Sequence, residues 1–337
     1  MTSQYSKICR IGVIGAGRIG KLHAQNLQYH LPQFQLVAIA DPNLDKQWAQ
    51  QFHLDCASTQ VEEVLFHKEL DAVIIASPSD QHIQQIRAAS ETGKAIFCEK
   101  PIGLTEEEII GTLETVKAQG AFLQLGFNRR FDPSFAHLQK RVQTGDIGDT
   151  HLVKITSRDP ECPSKEYCAT SGGIFMDMSI HDFDMARFLT RSEVVEVYAS
   201  GAVLINSGFK EFNDVDTALI QLRFANGALG LIDNSRQAIY GYDQRIEVFG
   251  SKGMLMAGNQ IQHAVTHYTA TQTSTANPEY FFLERYQQAY LAELQAFYDA
   301  WANDKASPVA GDDGLQALRI AKAAKQSLET HLPVALN

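Results

Sequence analysis

Short apolar runs alternate with segments of helical period over the first third of the chain. Residues 10–14 read as a buried strand. A helix over about 19–29 follows, then a strand at 36–40, a helix at 44–52, a strand at 72–76, a helix at 82–91 and a strand at 95–98. Thr105 and Glu108 have capping-box spacing for a helix running to about Gln119, and 121–126 is the last strand of the series. Strands alternating with helices predict an α/β unit, a doubly wound parallel sheet of Rossmann type.

Beyond residue 126 the pattern changes. Strand-like stretches fall at 151–157, 194–204, 217–224, 228–234, 245–250 and 254–257, several with alternating apolar and polar residues. Turn signals such as Asn226-Gly227 and Ser251-Lys252-Gly253 separate some of them and predict hairpins in an antiparallel or mixed sheet. Helical patterns close the chain near 279–303 and 313–328. The expected division is a nucleotide-binding domain over 1–125 and a second domain over 126–337, since 337 residues exceed one ordinary core.

Composition narrows the classes. A net charge of -10 argues against nucleic acid and anionic membranes as partners. The polar start and the lack of a long apolar run argue against a signal or a membrane span. Cys9, Cys56, Cys98, Cys162 and Cys168 are odd in number and scattered, which fits reduced thiols in the cytoplasm.

Gly15-Ala16-Gly17-Arg18-Ile19-Gly20 fits G-x-G-x-x-G, follows a predicted strand and opens a predicted helix. Asp41 ends the next strand. This context points to a dinucleotide: the glycines admit the backbone to a pyrophosphate, the helix start at Arg18 and Ile19 offers N–H groups, and Asp41 accepts the ribose hydroxyls. A 2′-phosphate would meet that carboxylate, with a repulsion of roughly 4 kcal/mol at ~4 Å and an effective dielectric near 20, so NAD is expected over NADP unless Lys46 compensates. The plainer alternatives are glycines serving a tight turn and Asp41 capping a helix before Pro42. Ser77, Pro78 and His82, in the loop after the 72–76 strand at the sheet's carboxyl edge, are expected to bind the cofactor, as are Glu99 and Lys100. Ser79 there has a helix cap as its alternative role.

Glu99-Lys100-Pro101 leaves the sheet at the same edge, where Lys100 is either a crevice residue or a solvated charge. Asp177 and His181 stand four apart in a helical pattern that runs on to Leu189. A carboxylate one turn from an imidazole orients it and stabilises its protonated form. Alcohol oxidation needs such parts: His181 as base, Asp177 as its partner, and Lys100 to polarise the hydroxyl. The alternatives are a wet helix face, or a metal held by Asp177, His181 and Asp182 or Asp184; the cysteines show no metal-ligand spacing, and no metal is expected.

The glycine loop, Glu99-Lys100-Pro101 and the Asp177–His181 pair together resemble the Gfo/Idh/MocA oxidoreductase family. The likeness covers nearly the whole chain, including Asp313–Leu318 in the final helix. Within the family it is most similar to bacterial inositol 2-dehydrogenases, on Thr156–Pro160, Ser171-Gly172-Gly173 leading to Ile180–Phe188, and Tyr240–Arg245. The resemblance implies a C-terminal α/β domain with a large open, mostly antiparallel sheet used for subunit contacts, and a homotetramer. It places the catalytic lysine, aspartate and histidine on Lys100, Asp177 and His181, and polyol contacts near Asn128, Arg129, Asp159 and Tyr242. The expected reaction is NAD-dependent oxidation of myo-inositol in a crevice between the domains. Scyllo-inositol or a pyranose as substrate, and a non-catalytic NAD-binding regulator, are the alternatives. Arg129, Asp159 and Tyr242 supply the mixed donors and acceptors that several hydroxyls need. Asp159 shaping a turn before Pro160, and Arg129 pairing with Asp132, are the structural alternatives.

Overall fold

The computed structural model describes residues 7–336. The chain divides into two compact units, Met1–Asn128 with Tyr290–Gln316, and Arg129–Ala289 with Ala317–Asn337.

In the first unit the strands are β1 (Cys9–Ile14), β2 (Phe34–Ala40), β3 (Cys56–Ser58), β4 (Ala72–Ile75), β5 (Ala95–Glu99) and β6 (Leu123–Gly126). They pair in parallel in the order β3-β2-β1-β4-β5-β6. The order reverses between β1 and β4, the switch point at which such sheets bind nucleotides outside their carboxyl ends. β4 is buried along its whole length and β1 nearly so, as expected of strands covered on both faces. The expected helix over 44–52 is a single turn, Lys46–Ala49, continued by a 3₁₀ turn, Gln50–Phe52.

The segment 290–316 sits with this first unit, whereas the sequence reading assigned it to the second domain. The reason is packing: Leu294, Phe297 and Tyr298, on the helix Gln287–Ala302, are buried in the same core as Ile11, Val13, Ile74 and Phe97.

The second unit holds β7 (Thr150–Arg158), β8 (Val194–Ala202), β9 (Thr217–Phe224), β10 (Leu229–Ser235), β11 (Asp243–Gly250) and β12 (Gly253–Ala257). A separate hairpin pairs β13 (Thr266–Tyr268) with β14 (Thr273–Thr275), and β15 (Val334–Ala335) completes the main sheet. Its order is β12-β11-β7-β10-β9-β8-β15, with β7 and β10 parallel and the other pairs antiparallel. The helix Ser179–Thr190 packs on β7 and β10 and buries Ile180, Phe183, Ala186 and Leu189. Strand register aligns Met254, Phe249, Leu152 and Leu229 in one row across four strands, and Met254, Phe249 and Leu229 are exposed. A helix at Pro133–Gln143 was not anticipated, although Asp132-Pro133 is a start signal: Asp132 accepts from Ser134 and Phe135 N–H groups, with proline in the first turn.

Candidate active site

Two of the three loop glycines in the first unit are required by packing. Gly15 has φ +91, and a Cβ on it would stand 2.5 Å from the Ala76 carbonyl oxygen. A Cβ on Gly20 would come within 1.9 Å of the Gly15 carbonyl oxygen, so the helix Arg18–Tyr29 lies hard against the turn. Gly17 is different. A Cβ there meets nothing within 4 Å, no side chain caps the helix, and its first turn holds no acidic residue. The N–H groups around exposed Arg18 and half-buried Ile19 therefore border open space at a positive helix end, which suits the phosphates of a dinucleotide. Asp41 Oδ2 accepts from the Ala16 N–H at 2.7 Å and Oδ1 from the Asn43 N–H at 2.7 Å. It fixes the loop and its own turn while placing a carboxylate beside the phosphate cradle.

After β4, Ser77 donates to Gln85 Oε1 at 2.6 Å, and Pro78 precedes a 3₁₀ turn, Ser79–Gln81. His82 is buried, its Nδ1 2.7 Å from the Pro101 carbonyl oxygen and its Nε2 2.9 Å from that of Ser77. It braces the loops after β4 and β5 against each other. Burial pulls its pKa down, and the two carbonyls oppose that. Glu99 ends β5 with Oε1 2.7 Å from His23 Nε2, and half-buried Lys100 follows it.

In the second unit the continuous helix expected from the sequence is two pieces, Ile174–Asp177 and Ser179–Thr190, interrupted at Met178. Met178 stays right-handed at φ -98 and ψ -59, so the interruption is one residue long. Asp177 Oδ1 accepts from the Tyr167 hydroxyl at 2.7 Å and Oδ2 from Arg236 Nη1 at 2.8 Å. Arg236 is 2% exposed and lies 3.6 Å from Asp159 Oδ2. Sequence reasoning missed both Tyr167 and Arg236; neither stands in a local pattern that signals its partner. The Asp159 carboxyl is pushed up to about 6 by burial and by the Asp177 charge, against the pull of Arg236 and Arg129.

Arg129 does not pair with Asp132. It donates to Asp182 Oδ1 at 2.5 Å and to Ser157 Oγ at 3.2 Å, while Asp132 takes Arg285 at 2.5 Å. Asn234 bonds the other Asp182 oxygen at 2.8 Å. Tyr242 is buried edge-on to Tyr286, with ring centroids 5.9 Å apart. Burial holds its hydroxyl well above the usual range, and Arg129 opposes this. Asn128, also buried, ends the first segment of the first unit.

The rival metal set is not assembled: Asp182 is committed to Arg129 and Asn234, and Asp184 receives Arg130 through both oxygens at 2.8 and 2.5 Å. Among the described residues, the one place where three His, Cys, Asp or Glu side chains bring nitrogen, sulfur or carboxylate oxygen within 4.8 Å of one another is His23, Glu99 and Glu293 in the first unit. All five cysteines are free thiols, and among the described residues no helix is long and apolar enough to cross a membrane.

Family comparison decides the class. The model of an oxidoreductase family with an NAD-binding Rossmann fold matches residues 9–127, and that of the GFO/IDH/MocA C-terminal domain matches 135–256. The chain belongs to the GFO/IDH/MocA oxidoreductase family. It is 49% identical over 327 residues to the oxidoreductase YrbE of Bacillus subtilis, covering 96% of each chain. It is 44% identical to a myo-inositol 2-dehydrogenase of Thermotoga maritima, covering 97% of this chain and 98% of that one. A crystal structure of scyllo-inositol dehydrogenase from Lactobacillus casei, with bound NAD(H) and scyllo-inositol, aligns at a TM-score of 0.90 and 32% identity over 98% of this chain and 99% of that one. The first unit is thus the NAD-binding domain of a GFO/IDH/MocA oxidoreductase, and its relatives include inositol dehydrogenases for two isomers.

Proposed function

We propose that this chain oxidises the axial hydroxyl of myo-inositol to the 2-keto inosose. The observation that carries the reading is the buried polar cluster of the second unit. Arg129, Asp159 and Tyr242 act on one another electrostatically and stand with Asp177 and Arg236. Such a set presents several donors and acceptors in one place, which a compact polyol needs and an apolar substrate would leave unpaired. The 44% identity to a myo-inositol enzyme supports the choice of isomer.

A bound NAD would supply the hydride acceptor; Gly17 and the start of the helix Arg18–Tyr29 would hold its phosphates, and Asp41 would take its ribose hydroxyls. His181 removes the hydroxyl proton, Asp177 stabilises the imidazolium, and Lys100 supports the negative charge developing on oxygen. Arg236 and Tyr167 hold Asp177 in place through one hydrogen bond to each of its oxygens. The exposed row Met254, Phe249 and Leu229, continued by Leu152, is an apolar face suited to self-association, and we assign it to the subunit contacts of a homotetramer.

The test is NADH formation with myo-inositol, scyllo-inositol and glucose side by side. The expected result is a kcat/KM for myo-inositol at least about tenfold above the others. Preference for scyllo-inositol would overturn the isomer, and no NAD reduction with any of the three would overturn the activity.

A further inference from the structure

The first unit buries titratable side chains that the proposed chemistry does not use. Glu293, on the helix Gln287–Ala302, is fully buried, and neither of its carboxylate oxygens has a hydrogen-bond partner. It lies within 4.8 Å of both His23 and Glu99, measured between their nitrogen and oxygen atoms. His23, on the helix Arg18–Tyr29, is also fully buried, edge-on to Phe97 at 5.3 Å and to Tyr290 at 5.9 Å. Its Nε2 holds Glu99 Oε1 at 2.7 Å, and its Nδ1 has no partner. β6 confines Glu99 from another side: a Cβ on Gly126 would come 3.0 Å from the Glu99 carboxylate.

A carboxyl buried without a hydrogen bond and within 4.8 Å of a second carboxyl is driven towards its neutral form. Of the two, Glu293 is the better place for a proton. It has no hydrogen bond to stabilise a charge, whereas Glu99 has His23. Burial and the Glu99 charge both push its acidity far from the usual carboxylate range, towards the neutral form. The titratable groups beside it are Glu99 from β5 and His23 from the helix Arg18–Tyr29, and Tyr290, on the helix that carries Glu293, lies edge-on to His23. Cys98, next to Glu99, is a buried thiol whose pKa is pushed well up by burial.

We propose that Glu293 is a positioning residue that carries a proton at neutral pH within the His23–Glu99–Glu293 cluster. That proton spares Glu99 a second charge beside it, so Glu99 stays on His23 and holds the backbone that presents Lys100 one residue later. Loss of the proton at high pH leaves two like charges in the pocket and displaces Glu99. The functional consequence rests on the reading of Lys100 given above; the protonation itself does not.

The test uses the full chain and two readouts. Infrared difference spectra should show a protonated-carboxyl band in the wild type at neutral pH that is missing in Glu293→Gln. Glu293→Gln mimics the protonated shape, so its kcat at neutral pH should fall by about threefold or less, while the alkaline decline of kcat expected of the wild type should flatten in the variant, with the KM for NAD little changed. A band that survives in Glu293→Gln, or superimposable pH profiles, would overturn the proposal. Should the variant not fold, following the wild-type band against pH reads the same proton, and its absence at neutral pH is decisive against the idea. Full turnover in Lys100→Ala would defeat the reading of Lys100 while leaving the infrared result to stand or fall by itself.

Discussion

The two units bury charge in opposite ways. In the second, buried carboxylates meet arginines: Asp182 with Arg129, Asp184 with Arg130, Asp132 with Arg285, and Asp177 with Arg236. In the first, the buried carboxylate Glu293 meets another carboxylate and an imidazole, with no arginine bonded to the group. Matched pairs hold both partners in directional, charge-assisted hydrogen bonds, which suits fixed hydroxyl recognition. An unmatched cluster stays buried only by holding a proton. The first unit otherwise meets charge at open backbone, at the uncapped helix beside Gly17. The polyol recognition proposed for the second unit and the dinucleotide binding of the first thus call for different electrostatic construction within one chain.

The sharpest way to break this contrast is to separate chemistry from cofactor binding. Lys100→Ala and His181→Ala should each lower kcat by roughly 10³- to 10⁴-fold, about 4–5 kcal/mol of barrier, while NAD binding measured by fluorescence titration persists. Near-normal turnover in either variant removes that residue from the mechanism. Next in size is the matched charge itself. Arg130→Ala removes both guanidinium bonds to the buried Asp184 carboxylate and should cost about 3–4 kcal/mol of unfolding free energy in a denaturant titration. A loss below about 1 kcal/mol would show that the pair behaves like an exposed one. Third is the cofactor side: the wild type should prefer NAD to NADP by about a hundredfold in kcat/KM, and Asp41→Ser should erase most of it, roughly 2–3 kcal/mol. Equal use of both cofactors by the wild type would refute the role given to Asp41.

What could be read in advance follows the range of the forces. The doubly wound sheet was legible because strands buried on both faces leave apolar runs, as in Ala72–Ile75. Gly15 and Gly20 were legible because backbone contacts within the loop and with the neighbouring strand force them. β3 was not: it is three residues, Cys56–Ser58, at the sheet edge, with no apolar run to mark it. The destination of Leu294 and Phe297 was equally hidden, since an apolar helix stripe does not name the sheet it covers. Asp177 also accepts from Tyr167, ten residues away, and Arg236, 59 residues away, partners that no local spacing signals. Arg129 found Asp182, 53 residues on, in place of the nearby Asp132. Pairings of that reach are decided by the tertiary fold and leave no local trace.

The smallest effect probes the least matched member of the second unit. Asp159 shares Arg236 with Asp177, at 3.6 Å against 2.8 Å, and its carboxyl is pushed up to about 6. Below that value it becomes a neutral acid and loses acceptor capacity, so the KM for myo-inositol should rise about tenfold as pH falls from about 7 to about 5, near 1.4 kcal/mol. Asp159→Asn should start with a raised KM and show no such dependence. The stability effect runs the other way. A carboxyl with a folded-state pKa above its ordinary value favours the folded state most at low pH and costs stability as pH rises through the interval from about 4 to 6. Asp159→Asn should therefore flatten the decline of unfolding free energy over that interval. A wild-type KM that is flat from about pH 5 to 7 would take Asp159 out of the polyol contacts and leave it as a second, weaker partner of Arg236.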